Sequence, residues 1–292
     1  MPFKDMREYL ALLEQEGLLK HTDIELDVSR DNKDTAALMR HLHNDNNIAL
    51  ILSKLKGYNT PDVPLVFNPF GTRERTAMTI GVRDARESKL KHASVLADPK
   101  SWHKPVLVDK NNAPCRENII KSDQIRLDKQ IPHIWFGKEG PAYITNGVGV
   151  TKDTETGARN VGWYRTAMMW DAYNPAGEEY PEGYDQRYMA VYAYWNPPMN
   201  HIGNHLFKAS QIGKPLEVAF ACSCDPSIHM AAATGLPYGQ DEYDFAGGLR
   251  GSPVELVKCE TVDLEVPATA EYVLEGELHW ESQVPIGWHS NV

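Results

Sequence analysis

Asn160, Arg165, His201 and Glu242 are the side chains of this 292-residue chain whose types suit work on a charged or metal-bound ligand. Asn160 offers an amide oxygen, and Arg165, five residues on, a permanent planar cation. That spacing is too wide for one shared contact and close enough for both to line one pocket. His201, in PMNHIGNH, offers an imidazole, and Glu242, in GQDEYDF, a carboxylate. Amide oxygen, ring nitrogen and carboxylate make a mixed donor set of the kind manganese or magnesium takes, with phosphate and water completing an octahedron. Other readings stay open on these residues alone. The arginine reads equally as the paired cation of a surface hairpin, the histidine as a hydrogen-bonded structural residue, and the run Asp241, Glu242, Asp244 as a solvated acidic face.

The first two of these side chains lie on one element. From Tyr143 to Arg165 the chain reads YITNGVGVTKDTETGARNVGWYR. Ile144, Val148 and Val150 alternate with small or polar residues, which predicts a half-buried strand. Gly147 and Gly149 on that strand predict close approach by another backbone or by a flat ligand. Lys152 to Gly157 is a polar turn, so the segment is a hairpin whose second arm carries Asn160 and Arg165. Upstream, apolar positions at Met6, Tyr9, Leu10, Leu13 and Leu18 predict an amphipathic helix over 4–18 stopped near Gly17, and Asp34 to Leu42 repeats the pattern. Ala49 to Leu52 and Pro64 to Phe67 read as strands. This α/β region ends near residue 108, with 94–112 as a linker. Arg73 and Arg75 follow a turn at 67–71 and read as solvated or phosphate-binding. Beyond Pro114 the chain turns β-rich, with helices only at 204–212 and 226–234. No Gly-x-Gly-x-x-Gly turn and no P-loop is present, so a β-barrel with inserted helices fits better than a doubly wound sheet.

Composition narrows the class further. Hydrophobic residues make up 42% and charged residues 24%, an ordinary globular balance. No apolar run approaches the roughly 20 residues a membrane span needs. The charged N-terminus, MPFKDMREYL, is unlike a signal peptide, and the expected location is the cytoplasm. A formal charge of −10 without a Lys/Arg cluster argues against nucleic acid as a partner. Four cysteines, Cys115, Cys222, Cys224 and Cys259, are too few and too irregular for a disulfide framework. Cys222 and Cys224 read as reduced core thiols on one face of a strand, alternating with Ser223 on the other.

The hairpin ending in NVGWYR resembles the flavin and metal segment of the UbiD family, decarboxylases and carboxylases that use prenylated FMN. The resemblance extends over FKDMREYLALLEQEGLL, FNPFGTRERTAMTIG, NAPCRENII and GLRGSPVELVKCETVDLEVPATAEYVLEGE, nearly the whole chain. It implies an α+β protein with an N-terminal α/β domain, residues 1–108, followed by a flavin-reductase-like split β-barrel, residues 109–292, incomplete at its C-terminus. It implies that Asn160, His201 and Glu242 hold Mn2+ or Mg2+, with a potassium ion nearby, and tie the cofactor phosphate to the barrel. It assigns flavin contacts to Trp163, Tyr164, Arg165, Pro198, Met199, Asn200 and His201. Arg165 takes the place of the arginine in the family's catalytic Glu-Arg-Glu network, bound to the substrate carboxylate. His205 then reads as support behind His201 or as surface. The expected partners are an aromatic or unsaturated carboxylic acid, a flavin prenyltransferase as cofactor supplier and further copies of the chain in a homo-oligomer.

Two departures stand against the family pattern. An aromatic, acidic insertion, MMWDAYNPAGEEYPEGYDQRYMAVYAYW, separates Arg165 from His201. After the strand at 273–277 the family's EGPFGE-like turn is replaced by LHWESQVPIGWHSNV, in which Glu281 is the one carboxylate side chain and lacks the matching glycine and proline frame. No glutamate is carried over, and the end at Val292 reads as a truncation, a frameshift or a natural short form. The leading expectation is a reversible, non-oxidative decarboxylase. The alternative is a catalytically weak or inactive homologue that holds flavin and metal. A metal hydrolase built on His201 and Glu242 is disfavoured, because no His-Glu-x-x-His helix appears.

Overall fold

The structure is a computed structural model that describes residues 3–28, 34–44, 47–58, 63–132, 134, 142–168, 187–194 and 200–281. The amphipathic pattern near the N-terminus forms α1, Met6–Gln15, capped by the Asp5 carboxylate, which accepts from Glu8 N. Its Met6, Tyr9 and Leu13 are buried against β1, Leu19–Thr22, and β2, Ala49–Leu52. These two strands pair in parallel across the second helix, α2, Asp34–Asn44, and β2 pairs antiparallel with β3, Leu65–Phe67. The following turn leads into α3, Arg73–Met78. Arg75 there is neither solvated nor free for phosphate. It is 1% exposed, and its guanidinium donates to the carbonyls of Pro69, Asn68 and Asn47. Three carbonyls satisfy a buried cation that faces no carboxylate, and they knit the turn to the β2 side of the sheet.

The stretch read as a linker is structured. Its first residues finish α4, Ala85–Ala97, and Val106–Leu107 forms β4. That short strand pairs in parallel with β11, Glu255–Lys258, which pairs in turn with β12, Glu265–Pro267. A short helix, α5, Leu127–Gln130, follows. The hairpin then builds the central sheet. In order, this sheet is β13, Tyr272–Leu278; β10, Leu216–Cys222; β6, Gly147–Lys152; and β7, Arg159–Trp163, all antiparallel. A further small sheet joins β5, Tyr143–Ile144, β8, Thr166–Met168, and β9, Met189–Val191. Among the described residues these are four separate sheets, without a closed barrel.

Helices cover the central sheet, and one of them was not foreseen. The expected pair are α6, His201–Gln211, and α7, Pro226–Ala232. The third, α8, Glu242–Arg250, contains Gly247 and Gly248, and two glycines inside nine residues argue against a helix by propensity, at about 1 kcal/mol each. Packing overrides that cost. A Cβ on Gly247 would sit 2.3 Å from the His103 carbonyl oxygen, and one on Gly248 would sit 2.7 Å from Val95 Cγ1. The glycines let α8 lie against α4 and the 102–103 segment, where Trp102 and His92 meet Phe245 edge-on. Gly247→Ala is therefore expected to destabilise the chain by about 1–3 kcal/mol, despite alanine's better helix propensity. A urea midpoint equal to or above that of the parent would contradict this packing account.

The hairpin glycines expected to admit a second backbone or a flat ligand, Gly147 and Gly149, make room for side chains, at Gly147 for Ile144 and Cys222. A Cβ at Gly149 would meet Phe220 and Tyr164 ring carbons at 2.9 Å, and one at Gly162 would meet the Tyr164 ring at the same distance. The space they leave is filled by this chain's own aromatic rings rather than by a second backbone or a flat ligand. Cys222 ends β10, and Ser223 takes a left-handed φ of 54°, so the strand expected to carry both thiols on one face stops before Cys224. Both are free and buried, as expected. No helix among the described residues is long and apolar enough to cross a membrane.

Candidate functional site

Asn160 lies on β7 and Glu242 is the first residue of α8, and the two elements are stapled together. The backbone N–H of Val161 donates to Glu242 Oε2 at 2.7 Å. The other carboxylate oxygen, Oε1, stands 3.9 Å from Nδ1 of His201, the first residue of α6. That is too long for a hydrogen bond and within the roughly 4.2 Å that two ligands of one ion at ~2.1 Å can span. Asn160 is 3% exposed and donates its amide N–H to the Tyr164 hydroxyl at 2.8 Å. Its amide oxygen is thereby left as the group that can serve a cation. The fold thus brings the expected imidazole and carboxylate together, with the carboxylate bonded to the residue next to Asn160.

The electrostatics of this group favour a cation. Glu242 is 3% exposed, and burial pushes its pKa up to about 8, with the Val161 N–H opposing that shift and the neighbouring Asp241 adding to it. Burial also lowers the pKa of His201. A divalent ion requires a neutral imidazole, which lowering of the His201 pKa favours, and an ionised carboxylate, so its binding would displace the proton that burial keeps on Glu242. Among the described residues no three His, Cys, Asp or Glu side chains are metal-spaced, so the set reaches three protein donors only through Asn160. Three donors of this chemistry fit a hard cation that keeps water or phosphate in its remaining positions. The N-termini of α6 and α8 meet there, and their partial positive charge suits an anion such as phosphate.

His201 packs on Tyr238, whose hydroxyl is tied to the buried Asp153. Its ring meets Tyr238 edge-on at 5.3 Å, and the same tyrosine meets His205 at 5.7 Å. The Tyr238 hydroxyl donates to Asp153, which also receives Lys208 at 2.6 Å and the backbone N–H groups of Glu155 and Thr156. Burial works against ionisation of Asp153, but these donors outweigh it and hold the carboxyl well below its ordinary range. His205 is 2% exposed, its Nδ1 lies 2.9 Å from Thr151 Oγ1, and burial pushes its pKa down to about 4. It therefore stands behind His201 rather than at the surface. Asp153 and Tyr238 escaped sequence reading because one lies in a polar turn and the other in a loop.

Trp163, Tyr164 and Arg165 leave β7 in succession and end in three different places. Tyr164 turns inward over the glycines, where burial pushes its pKa up to about 12. Trp163 keeps 44% of its surface open, while its indole N–H is bound from behind by His229 Nδ1 at 3.1 Å. An anchored, open indole is a fixed apolar face of the kind a flat ring packs on. Arg165 is exposed between β7 and β8, with its guanidinium 5.7 Å from the Tyr192 ring centroid. Its carbonyl accepts from Tyr192 N at 2.9 Å. Asn200 caps α6, its side-chain oxygen accepting from Gly203 N and Tyr194 N, a structural duty the resemblance did not assign. Pro198 and Met199 lie outside the described residues, as does most of the insertion between Met168 and Trp195.

His229 makes the Trp163 anchor sensitive to acid. An indole N–H only donates, so Nδ1 accepts and the ring is neutral, with its proton on Nε2 at 3.8 Å from Cys224 Sγ. Complete burial pushes its pKa down to about 3 from 6.5. Below pH 6.5 the unfolded chain takes a proton that the fold refuses until about pH 3, so stability falls with falling pH across that window. His229→Gln is expected to flatten this slope by close to one proton, read as the urea midpoint against pH. An unchanged slope would show that His229 is not held neutral.

Fold and site together define a mixed α+β chain in which a buried carboxylate at the head of α8 is bonded to the second arm of a β-hairpin and stands 3.9 Å from the histidine at the head of α6. The model of the 3-octaprenyl-4-hydroxybenzoate carboxy-lyase Rift-related domain matches residues 106–289, and that of the corresponding N-terminal domain matches residues 10–90. The chain belongs to the UbiD family. Protein sll0936 of Synechocystis sp. is 33% identical over 303 residues, covering 97% of this chain and 56% of that protein. Vanillic acid decarboxylase of Sedimentibacter hydroxybenzoicus, in its closed form, superposes with a TM-score of 0.80 at 30% identity. That match covers 95% of this chain and 55% of the enzyme's. An evolved dimeric form of the UbiD-class enzyme HmfF from Pelotomaculum thermopropionicum, solved in complex with prFMN, gives 0.77 at 31% identity, over 94% of this chain and 57% of its own. This chain thus spans little more than half the length of the relatives it matches.

Proposed function

We propose that this chain carries the cofactor-holding part of a non-oxidative, reversible decarboxylase. Its substrate is an aromatic or α,β-unsaturated carboxylic acid, and it works with prenylated FMN and Mn2+ or Mg2+. The observation that carries this reading is Glu242, a carboxylate buried to 3% exposure that faces His201 at 3.9 Å beside Asn160. Family membership supports it, as does the prFMN complex of HmfF. The reading divides the chain into an N-terminal α/β domain, residues 1–108, and a flavin-binding split β-barrel, residues 109–292, organised on the sheet of β13, β10, β6 and β7. A nearby potassium ion, a homo-oligomer and a separate flavin prenyltransferase as cofactor supplier belong to the same proposal.

Prenylated FMN supplies, when bound, the electron sink for the carbon that loses carbon dioxide. Asn160, His201 and Glu242 would hold the divalent ion against the cofactor phosphate, aided by the N-termini of α6 and α8. Trp163 would give the ring system an apolar face, kept in place by the His229 anchor. Arg165 would receive the substrate carboxylate through its planar two-point fork and so orient the bond to be broken. No carboxylate after β13 is assigned to proton transfer.

The test is to incubate the purified chain with prenylated FMN and Mn2+, desalt it, and record its absorbance. Carbon dioxide release is then measured from a panel of hydroxybenzoic and cinnamic-type acids. Flavin retention that depends on Mn2+, together with turnover of at least one acid, is expected. Loss of all flavin on desalting overturns the reading, and retention without turnover would make the chain a flavin- and metal-binding homologue.

A further inference from the structure

Arg159 has no part in the donor set, yet it is the most heavily committed cation near it. Its side chain is 14% exposed. Nε and Nη2 donate to Asp241 Oδ2 at 3.1 and 2.6 Å, and Nη1 donates to Glu265 Oε2 on β12 at 2.7 Å. The guanidinium also lies over the Tyr243 ring, 4.9 Å from its centroid. Asp241 is the N-cap of α8, its other oxygen accepting from Tyr243 N at 2.9 Å.

The placement of this ion pair is informative. Arg159 immediately precedes Asn160 on β7, and Asp241 immediately precedes Glu242 at the head of α8. A link between 159 and 241 therefore fixes 160 relative to 242. On the far side of Asn160, the Val161 N–H is bonded to Glu242 itself. Three consecutive residues of the strand are thus bracketed against two consecutive residues of the helix, with both oxygen donors inside the bracket.

We propose that Arg159 is a positioning residue that sets the spacing between Asn160 and Glu242, and with it the affinity of the site for a divalent cation. The inference rests on the metal-site reading above. Its physical basis is that a rigid fork holding two carboxylates on different elements fixes an angle as well as a distance, which a single-point cation cannot do. Glu265 keeps Lys152 as a second partner at 3.2 Å, so the loss of Arg159 falls mainly on Asp241 and the head of α8.

The test is Mn2+ binding to the full chain without cofactor, followed by electron paramagnetic resonance, for the parent, Arg159→Met and Arg159→Lys. Each variant's thermal melt is recorded so that binding is read well below unfolding. Electrostatics alone predicts that removing a positive charge tightens cation binding in Arg159→Met and that Arg159→Lys changes nothing. Positioning predicts weaker binding in both, by about ten- to a hundredfold, as for other groups that orient metal ligands from behind. The lysine variant serves if the methionine variant does not fold. Parental or tighter affinity in a folded variant overturns the proposal while leaving the metal site standing. A parent that binds no Mn2+ overturns the metal-site reading and this inference with it.

Discussion

Replacing Glu242 by glutamine is expected to make the metal-free chain more stable while weakening Mn2+ binding at least about tenfold, roughly 1.4 kcal/mol. The two effects have one cause. Burial raises the Glu242 pKa from 4.5 to about 8, so in the absence of a cation the folded chain carries a proton that the unfolded chain has already released. Stability therefore falls as pH rises from about 4.5 to about 8, and the cost is complete above that window. Glutamine keeps an oxygen to accept from Val161 N and removes the charge. The gain near pH 8 is on the order of 3 kcal/mol, which in a chain of this size raises Tm by about 5 °C or more. Thermal melts in chelator from pH 4 to 9 should show the variant and parent converging at the acid end and separating toward the alkaline end. Adding Mn2+ should then raise the Tm of the parent and leave the variant unmoved. Equal Mn2+ affinity in both proteins would remove Glu242 from the site.

Arg165→Ala is expected to lower decarboxylation by the reconstituted chain by at least about a hundredfold, the scale seen when one preorganised donor to a charged group is lost. Mn2+ affinity should stay within about twofold of the parent. Arg165 lies beyond the segment that Arg159, Asp241, Val161 and Glu242 tie together, and its guanidinium stands over the Tyr192 ring. Arg165→Lys should fail to restore turnover, because an ammonium cannot present two parallel N–H groups to a carboxylate. A lysine variant with parental turnover would show that position 165 needs charge alone. A fall in metal affinity equal to the fall in turnover would place Arg165 at the phosphate instead of the substrate.

Much of the fold was legible because local chemistry and tertiary environment agree there. Asp5 and Gly17 bracket the α1 pattern, Asp34 opens α2, and the alternating stretch through Val148 and Val150 is β6, which leaves Ile144 to another sheet and is buried on both faces rather than half buried. Asn160, His201 and Glu242 did not stand out by their short motifs, in which amide, imidazole and carboxylate each have other uses. The resemblance to the UbiD family picked out these positions without reference to distance.

What the sequence determined by itself was therefore the set of elements with a single strong period and the chemical inventory of the site. Tertiary structure decided the rest, because the deciding partner lies far away in the chain. Gly247 and Gly248 disfavour a helix until His103 and Val95 press against them. Arg75 reads as solvated until three carbonyls close around it. Gly147 and Gly149 suggest a second backbone or a flat ligand until Ile144, Cys222, Phe220 and Tyr164 fill their space. The acidic run at 241–244 reads as solvated until Arg159, 82 positions away from Asp241, takes one carboxylate and burial isolates the next. A linear sequence records which groups are present. Which of them lose water and which find a countercharge is settled only when the strand bearing Asn160 and the helix bearing Glu242 are brought side by side.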